Sequence, residues 1–158
     1  LLIKIKMITK DEVLKFQDNW AAGIINIGEL FKNNKGYVDE AENFISRLYA
    51  YESEEVLFKP TLAVDTQFRL DKIAALSYFV GGNSKYSEDL GFAIKDWIKI
   101  RWENIGIKII DNIAICMGNY FFSKSNEDDL MVEYTIVLKK IAGELKIILH
   151  DSHLPYQK

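Results

Sequence analysis

The chain has a single cysteine, Cys116, which excludes an internal disulfide and any multi-cysteine zinc site. It sits in the apolar run Ile113-Ala114-Ile115-Cys116-Met117, the setting of a small core residue rather than a nucleophile. Phosphate-binding glycine loops, dinucleotide fingerprints and His-Glu-x-x-His are all absent. Gly81-Gly82 alone reads as a helix stop. Lys and Arg form no basic stripe, and with a net charge of −3 and a pI near 5.5 no nucleic-acid partner is expected. The segment Leu1-Leu2-Ile3-Lys4-Ile5-Lys6-Met7 is too short and too charged for a transmembrane helix or an intact signal peptide, so no membrane partner is expected. An initiator methionine is missing, which fits a processed or truncated end, and the compartment is left open between cytoplasm and periplasm. Repeats, linkers and low-complexity segments are absent too, and 158 residues fit one ordinary domain. That domain is expected over residues 9–156, with 1–8 as an N-terminal extension.

What is present is core material: 49% of residues are hydrophobic and 13% aromatic, enough for a substantial interior. Thr9-Lys10-Asp11-Glu12 has the form of a capping box, in which hydroxyl and carboxylate satisfy each other's backbone amides. Apolar residues then recur at Val13, Phe16, Trp20, Ile24, Ile27 and Phe31, one stripe of a long helix ended by Asn33-Asn34-Lys35-Gly36. A second amphipathic helix carries Ala41, Phe44, Ile45, Leu48 and Tyr49 on one face. Glu55 to Lys59 reads as a short extended run stopped by Pro60. A third helix is expected from about Asp71, with Ile73, Leu76 and Val80 on its buried stripe, ending at Gly81-Gly82.

From about Phe92 the period becomes two: Ile98, Ile100 and Trp102 alternate with Lys99, Arg101 and Glu103. Gly106 marks a bulge within this strand, and Asp111-Asn112 a tight hairpin turn. Long strands follow over Ile113–Ser123 and Leu130–Ile141, joined by a polar loop. Ala142-Gly143 turns into a last strand, Leu145–Ser152, stopped by Pro155. Helices first and meandering strands afterwards predict an α+β fold, a curled antiparallel sheet around helices that leaves a cone with one open end. Such a pocket is the default ligand site.

Chemical side chains concentrate at the end of the chain, in His150-Asp151-Ser152-His153-Leu154-Pro155-Tyr156. Both histidines are here, but strand alternation sends them to opposite faces. Zinc would then need carboxylates for most of its ligands, so no metal site is expected. Asp65 and Asp71 flank Arg69 as a surface or capping arrangement.

Seven blocks, in order, resemble the iota-class carbonic anhydrases of the nuclear transport factor 2-like superfamily. They are Phe58-Lys59-Pro60-Thr61, Gln67-Phe68-Arg69, Ala75 to Gly82, Asp89 to Ile94, Ile100 to Asn104, Met117 to Phe121 and Leu154-Pro155-Tyr156. The blocks run from Phe58 to Tyr156, within a resemblance that extends over about Thr9 to Tyr156. The resemblance implies a cone-shaped fold, hydration of CO2 to bicarbonate, a homodimer and no required cofactor, although manganese is associated with some members. It assigns Thr61, Tyr78 and Ser152 as the pocket hydroxyls that hold water or bicarbonate. Arg69, Arg101, Asn119 and His150 are the substrate-binding candidates, with an Arg101–Glu133 ion pair as the alternative role for Arg101. The family ends its last strand His-His-Ser-Ser where this chain has His150-Asp151-Ser152-His153. The changed positions, 151 and 153, share one strand face, and the retained His150 and Ser152 share the other. The retained face is expected to line the pocket. Two other functions on the same cone are an assembly module, as in the association domain of calcium/calmodulin-dependent kinase II, and an isomerase or hydratase of the ketosteroid-isomerase type. The first calls for an apolar pocket without convergent hydroxyls, the second for a buried Asp or Glu.

Overall fold

The computed structural model describes residues 7–158, so the expected N-terminal extension falls mostly outside the described residues. Helix α1 spans Lys10–Lys32 and opens on the expected capping box: Glu12 N–H donates to Thr9 Oγ1 at 3.2 Å, and Thr9 N–H to Glu12 Oε2 at 2.9 Å. Val13, Phe16, Trp20, Ile24 and Ile27 are buried along one side. Phe31 is not, and meets Tyr37 edge-on at 5.0 Å instead. Helix α2 (Tyr37–Leu48) buries the face read from its sequence and crosses α1 at Gly23, where a Cβ would lie 2.5 Å from the Phe44 ring.

After α2 come strand β1 (Leu57–Lys59) and helix α3 (Lys72–Val80), the latter capped by Asp71, whose carboxylate accepts from Ala74 N–H at 2.8 Å. The expected stripe of α3 needs correction: Ile73 is 66% exposed and Leu76 half-buried, while Ala74, Ala75, Ser77, Tyr78 and Phe79 face inward with Val80. A helix apolar on every side offers no period from which to pick a face. Two short 3-10 turns follow, Ser84–Tyr86 and Phe92–Ile94, in place of a strand beginning near Phe92.

Strands β2 (Lys99–Ile110), β3 (Ile113–Ser123), β4 (Leu130–Ile141) and β5 (Glu144–His153) form an antiparallel meander. Ile98 precedes β2 and is half exposed, so the inward alternation starts at Ile100. The bulge falls at Ile105, between pairs Asn104–Gly118 and Gly106–Met117. Opposite it, Gly118 is obligatory, because a Cβ there would lie 2.0 Å from Glu103 O. A second irregularity, at Ile148 in β5, adds to the curl.

The sheet order is β1-β5-β4-β3-β2, and β1 runs parallel to β5. The sheet is therefore mixed rather than wholly antiparallel. Its concave side holds α1 and an aromatic core in which Trp20, Phe44, Tyr49, Phe58, Phe79 and Tyr120 are all buried. Among the described residues no helix is long and apolar enough to cross a membrane.

Candidate active site

The parallel register sets Lys59 beside Asp151, and Pro60 then turns the chain over the end of β5. This brings Thr61 to Ser152 across 91 residues of sequence, with Oγ1 and Oγ 2.6 Å apart. Lys59 Nζ donates to Ser152 O at 3.2 Å and ties the two segments together. From α3, Tyr78 accepts a 3.4 Å hydrogen bond from Leu62 N–H, and its ring stacks on Phe92 at 5.5 Å. From β3, Tyr120 lines the same cavity as Thr61 and Ser152. Four hydroxyls thus face one small cavity, whose walls are otherwise Phe58, Pro60, Phe79 and Phe92 beside Trp20 and His150. Its volume is about 10 Å³, near the smallest space that holds one water.

Electrostatically the cavity is neutral. Burial pushes the His150 imidazole down to about 3, so it carries no charge near neutral pH. The same desolvation holds Tyr78 and Tyr120 well above the ordinary phenol range, where both keep their protons and can donate. No Asp or Glu lines the cavity, so it lacks the carboxylate an isomerase of this fold would need. It also does not suit manganese, a hard cation that prefers carboxylate ligands. Among the described residues no three His, Cys, Asp or Glu side chains are grouped as a ligand set.

Ser152 and His150 point inward, each 2% exposed. Asp151 and His153 point outward with side chains near half exposure, and His153 Nε2 meets Glu133 at 2.8 Å directly across the sheet. The departure from the family pattern therefore lies outside the pocket.

Three substrate-binding candidates do not reach the cavity. Arg69 is fully buried behind Tyr78, with its guanidinium bidentate on Asp89 at 2.7 and 2.8 Å and also on Thr66 O and Ala74 O. Arg101 is on the outer face, over the Phe121 ring at 4.2 Å and 3.5 Å from Glu103, not paired with Glu133. Asn119 precedes the inward-facing Tyr120 and so takes the opposite face. Cys116 is buried, with its thiol pushed up to about 11 by desolvation, as befits a core residue. A larger groove of about 760 Å³ runs past Lys15, Asn19, Asn26 and Arg47 but contains none of the cavity hydroxyls.

Tyr120 and Tyr49 were not among the sequence candidates. The signal for Tyr120 was its place two residues from Phe122 and four from Cys116 on the inward phase of β3. Tyr49 was read only as core.

A sequence model of the metal-independent carbonic anhydrase family matches residues 11–154. A metal-independent carbonic anhydrase from Nostoc sp. is 37% identical over 157 residues, covering 97% of this chain and 77% of that protein. The crystal structure of a cyanobacterial iota-carbonic anhydrase complexed with bicarbonate gives a TM-score of 0.93 at 36% identity, over 96% of this chain and 95% of that one. A nuclear transport factor 2-like protein of unknown function from Shewanella oneidensis gives 0.54 at 17% identity, over 90% and 97% of the two chains, a likeness of fold alone. The architecture is thus nuclear transport factor 2-like, and with its family match running nearly end to end the chain belongs to the metal-independent carbonic anhydrase family.

Proposed function

We propose that this chain hydrates CO2 to bicarbonate in the cavity between Thr61, Tyr78 and Ser152, using its own hydroxyls. The observation that carries the proposal is the convergence of those hydroxyls, with Thr61 and Ser152 2.6 Å apart, in a water-sized cavity free of carboxylates. The cavity as it stands has room for about one water, so the aromatic walls of Phe58, Phe79 and Phe92 part to admit CO2, whose carbon is attacked by a water held by the Thr61–Ser152 pair. As the C–O bond forms, one C=O electron pair moves onto its oxygen, and the Tyr78 hydroxyl donates to that oxygen. The proton lost by the water passes to solvent at the half-buried Thr61 side. Fixed donors aimed at developing charge are the usual source of such stabilisation. Purified protein treated with a chelator is expected to accelerate CO2 hydration in stopped-flow pH-indicator traces. Folded protein whose traces match the uncatalysed rate would sink the proposal, and activity restored only by manganese would replace it with a metal-assisted reaction.

Assembly follows from the outer face. Leu57, Phe68 and Leu70 are each at least 49% exposed around a groove of about 560 Å³, and Met117 is 55% exposed on the same side of the sheet. Apolar surface of this kind on a convex sheet suits a two-fold homodimer, in which each patch covers its copy. Light scattering at micromolar concentration is expected to give twice the chain mass, and a monomeric mass would refute the dimer.

A further inference from the structure

A chain of buried hydrogen bonds runs from α1 to the cavity, and donor chemistry gives it a direction. Trp20 Nε1 lies 3.1 Å from Tyr49 Oη, Tyr49 Oη 2.9 Å from His150 Nδ1, and His150 Nε2 3.2 Å from Tyr120 Oη. All four residues are at most 2% exposed, and Tyr49, at 0% and outside the cavity lining, has no access to water that could substitute for a missing partner. An indole nitrogen only donates. Tyr49 therefore accepts from Trp20, and its own hydrogen goes to His150 Nδ1. A neutral imidazole that accepts at Nδ1 carries its hydrogen on Nε2, which donates to Tyr120. The Tyr120 hydrogen is then left for the cavity that Tyr120 lines together with Thr61 and Ser152.

The opposite direction fails on one atom. If Tyr120 donated to Nε2, then Nδ1–H would donate to Tyr49. The Tyr49 hydrogen would face only the Trp20 N–H, a buried donor with no acceptor. The low pKa of the imidazole is consistent with a neutral ring, and its stacking on Phe58 at 5.1 Å keeps the ring plane fixed.

We infer that Tyr120 is a further catalytic residue, a one-way donor to the oxygen that gains charge as bicarbonate forms, and that Trp20, Tyr49 and His150 are positioning residues that dictate its direction. The inference rests on the CO2-hydrating reading for the identity of the reactant, whereas the direction of the chain stands on geometry alone. It gives His150, a substrate-binding candidate by sequence that lines the cavity, the role of setting the direction of Tyr120.

Two measurements test it together. In long-range proton–nitrogen NMR of the resting protein, His150 is expected as the Nε2–H tautomer, with His153→Ser removing the second histidine signal for assignment. In stopped-flow assays, Tyr120→Phe is expected to lower kcat/KM about a hundredfold. Tyr49→Phe, which leaves Tyr120 in place but frees its orientation, is expected to lower kcat roughly tenfold at unchanged KM. The double variant is expected to match Tyr120→Phe alone, because Tyr49 acts only through Tyr120. A His150 carrying its hydrogen on Nδ1 would overturn the direction. A double variant about tenfold below Tyr120→Phe would overturn the coupling. Wild-type protein with no activity overturns the proposed reaction, a failure told apart from that of the chain because the tautomer is read without turnover.

Discussion

Thr61→Val is expected to lower kcat/KM for CO2 hydration by about a hundredfold or more, close to the loss seen when one preorganised donor is removed from an acyl-transfer site. Valine has nearly the shape of threonine, so the chain path after Pro60 and the packing around it are preserved. What disappears is the partner of Ser152 Oγ at 2.6 Å and one of the two oxygens available to hold the attacking water. Ser152→Ala removes the other member and is expected to fall into the same range, with the pair together little worse than either alone. The check is stopped-flow hydration on protein whose circular dichroism is unchanged. Wild-type rates in the Thr61 variant would remove this hydroxyl pair from the reaction.

The largest expected loss of stability is at Asp89→Ala. Asp89 is the bidentate partner of Arg69, and the two side chains are 1% and 0% exposed. It also accepts from Ser77 Oγ at 2.6 Å, one residue before Tyr78. Removing the carboxylate leaves a guanidinium buried with only Glu88, 3.9 Å away, as counter-charge. Breaking a buried pair on one side costs about 3–5 kcal/mol, and in a chain of this size that amounts to a fall in Tm of roughly 10 °C. Denaturant midpoints and thermal scans check it, and a change below about 1 kcal/mol would mean that the pair behaves as an exposed one. Activity should fall too, because Glu88 accepts from Val64, Asp65 and Thr66 N–H at 2.6–2.9 Å and, with Arg69, braces the loop that follows Thr61.

Sequence periodicity located β3 and β4 to the residue, because alternation was clean and polar turns bounded both strands. It misplaced the buried face of α3, where apolar residues on every side erased the phase. It also extended the strand pattern too far back toward Phe92: Asp96, at φ 70°, turns the chain just before β2. The parallel pairing of β1 was not legible, because three residues set no direction of their own and β5 supplies it. In the site, Thr61 and Tyr78 were legible because motif blocks carried them, and His150 and Ser152 because they keep two places of the family's last-strand ending. Arg69 and Arg101 were misread because charge alone does not say which partner wins. Asp89 lies 20 residues beyond Arg69 and becomes its partner only when the 3-10 turns fold back. His153, not Arg101, sits directly opposite Glu133 in the register.

The short parallel strand also has a consequence in time. Thr61 precedes its partner Ser152 by 91 residues, with β2, β3 and β4 made between them. No ribosome-bound fragment that stops at β4 can hold the pair, however well its helices and first strands have collapsed. Contacts at such sequence separation are reached slowly, after the long loop between them has been closed. The onset of catalysis in a refolding experiment should therefore trail the recovery of helix and tryptophan signals, so that turnover dates the final docking of β5 against β1.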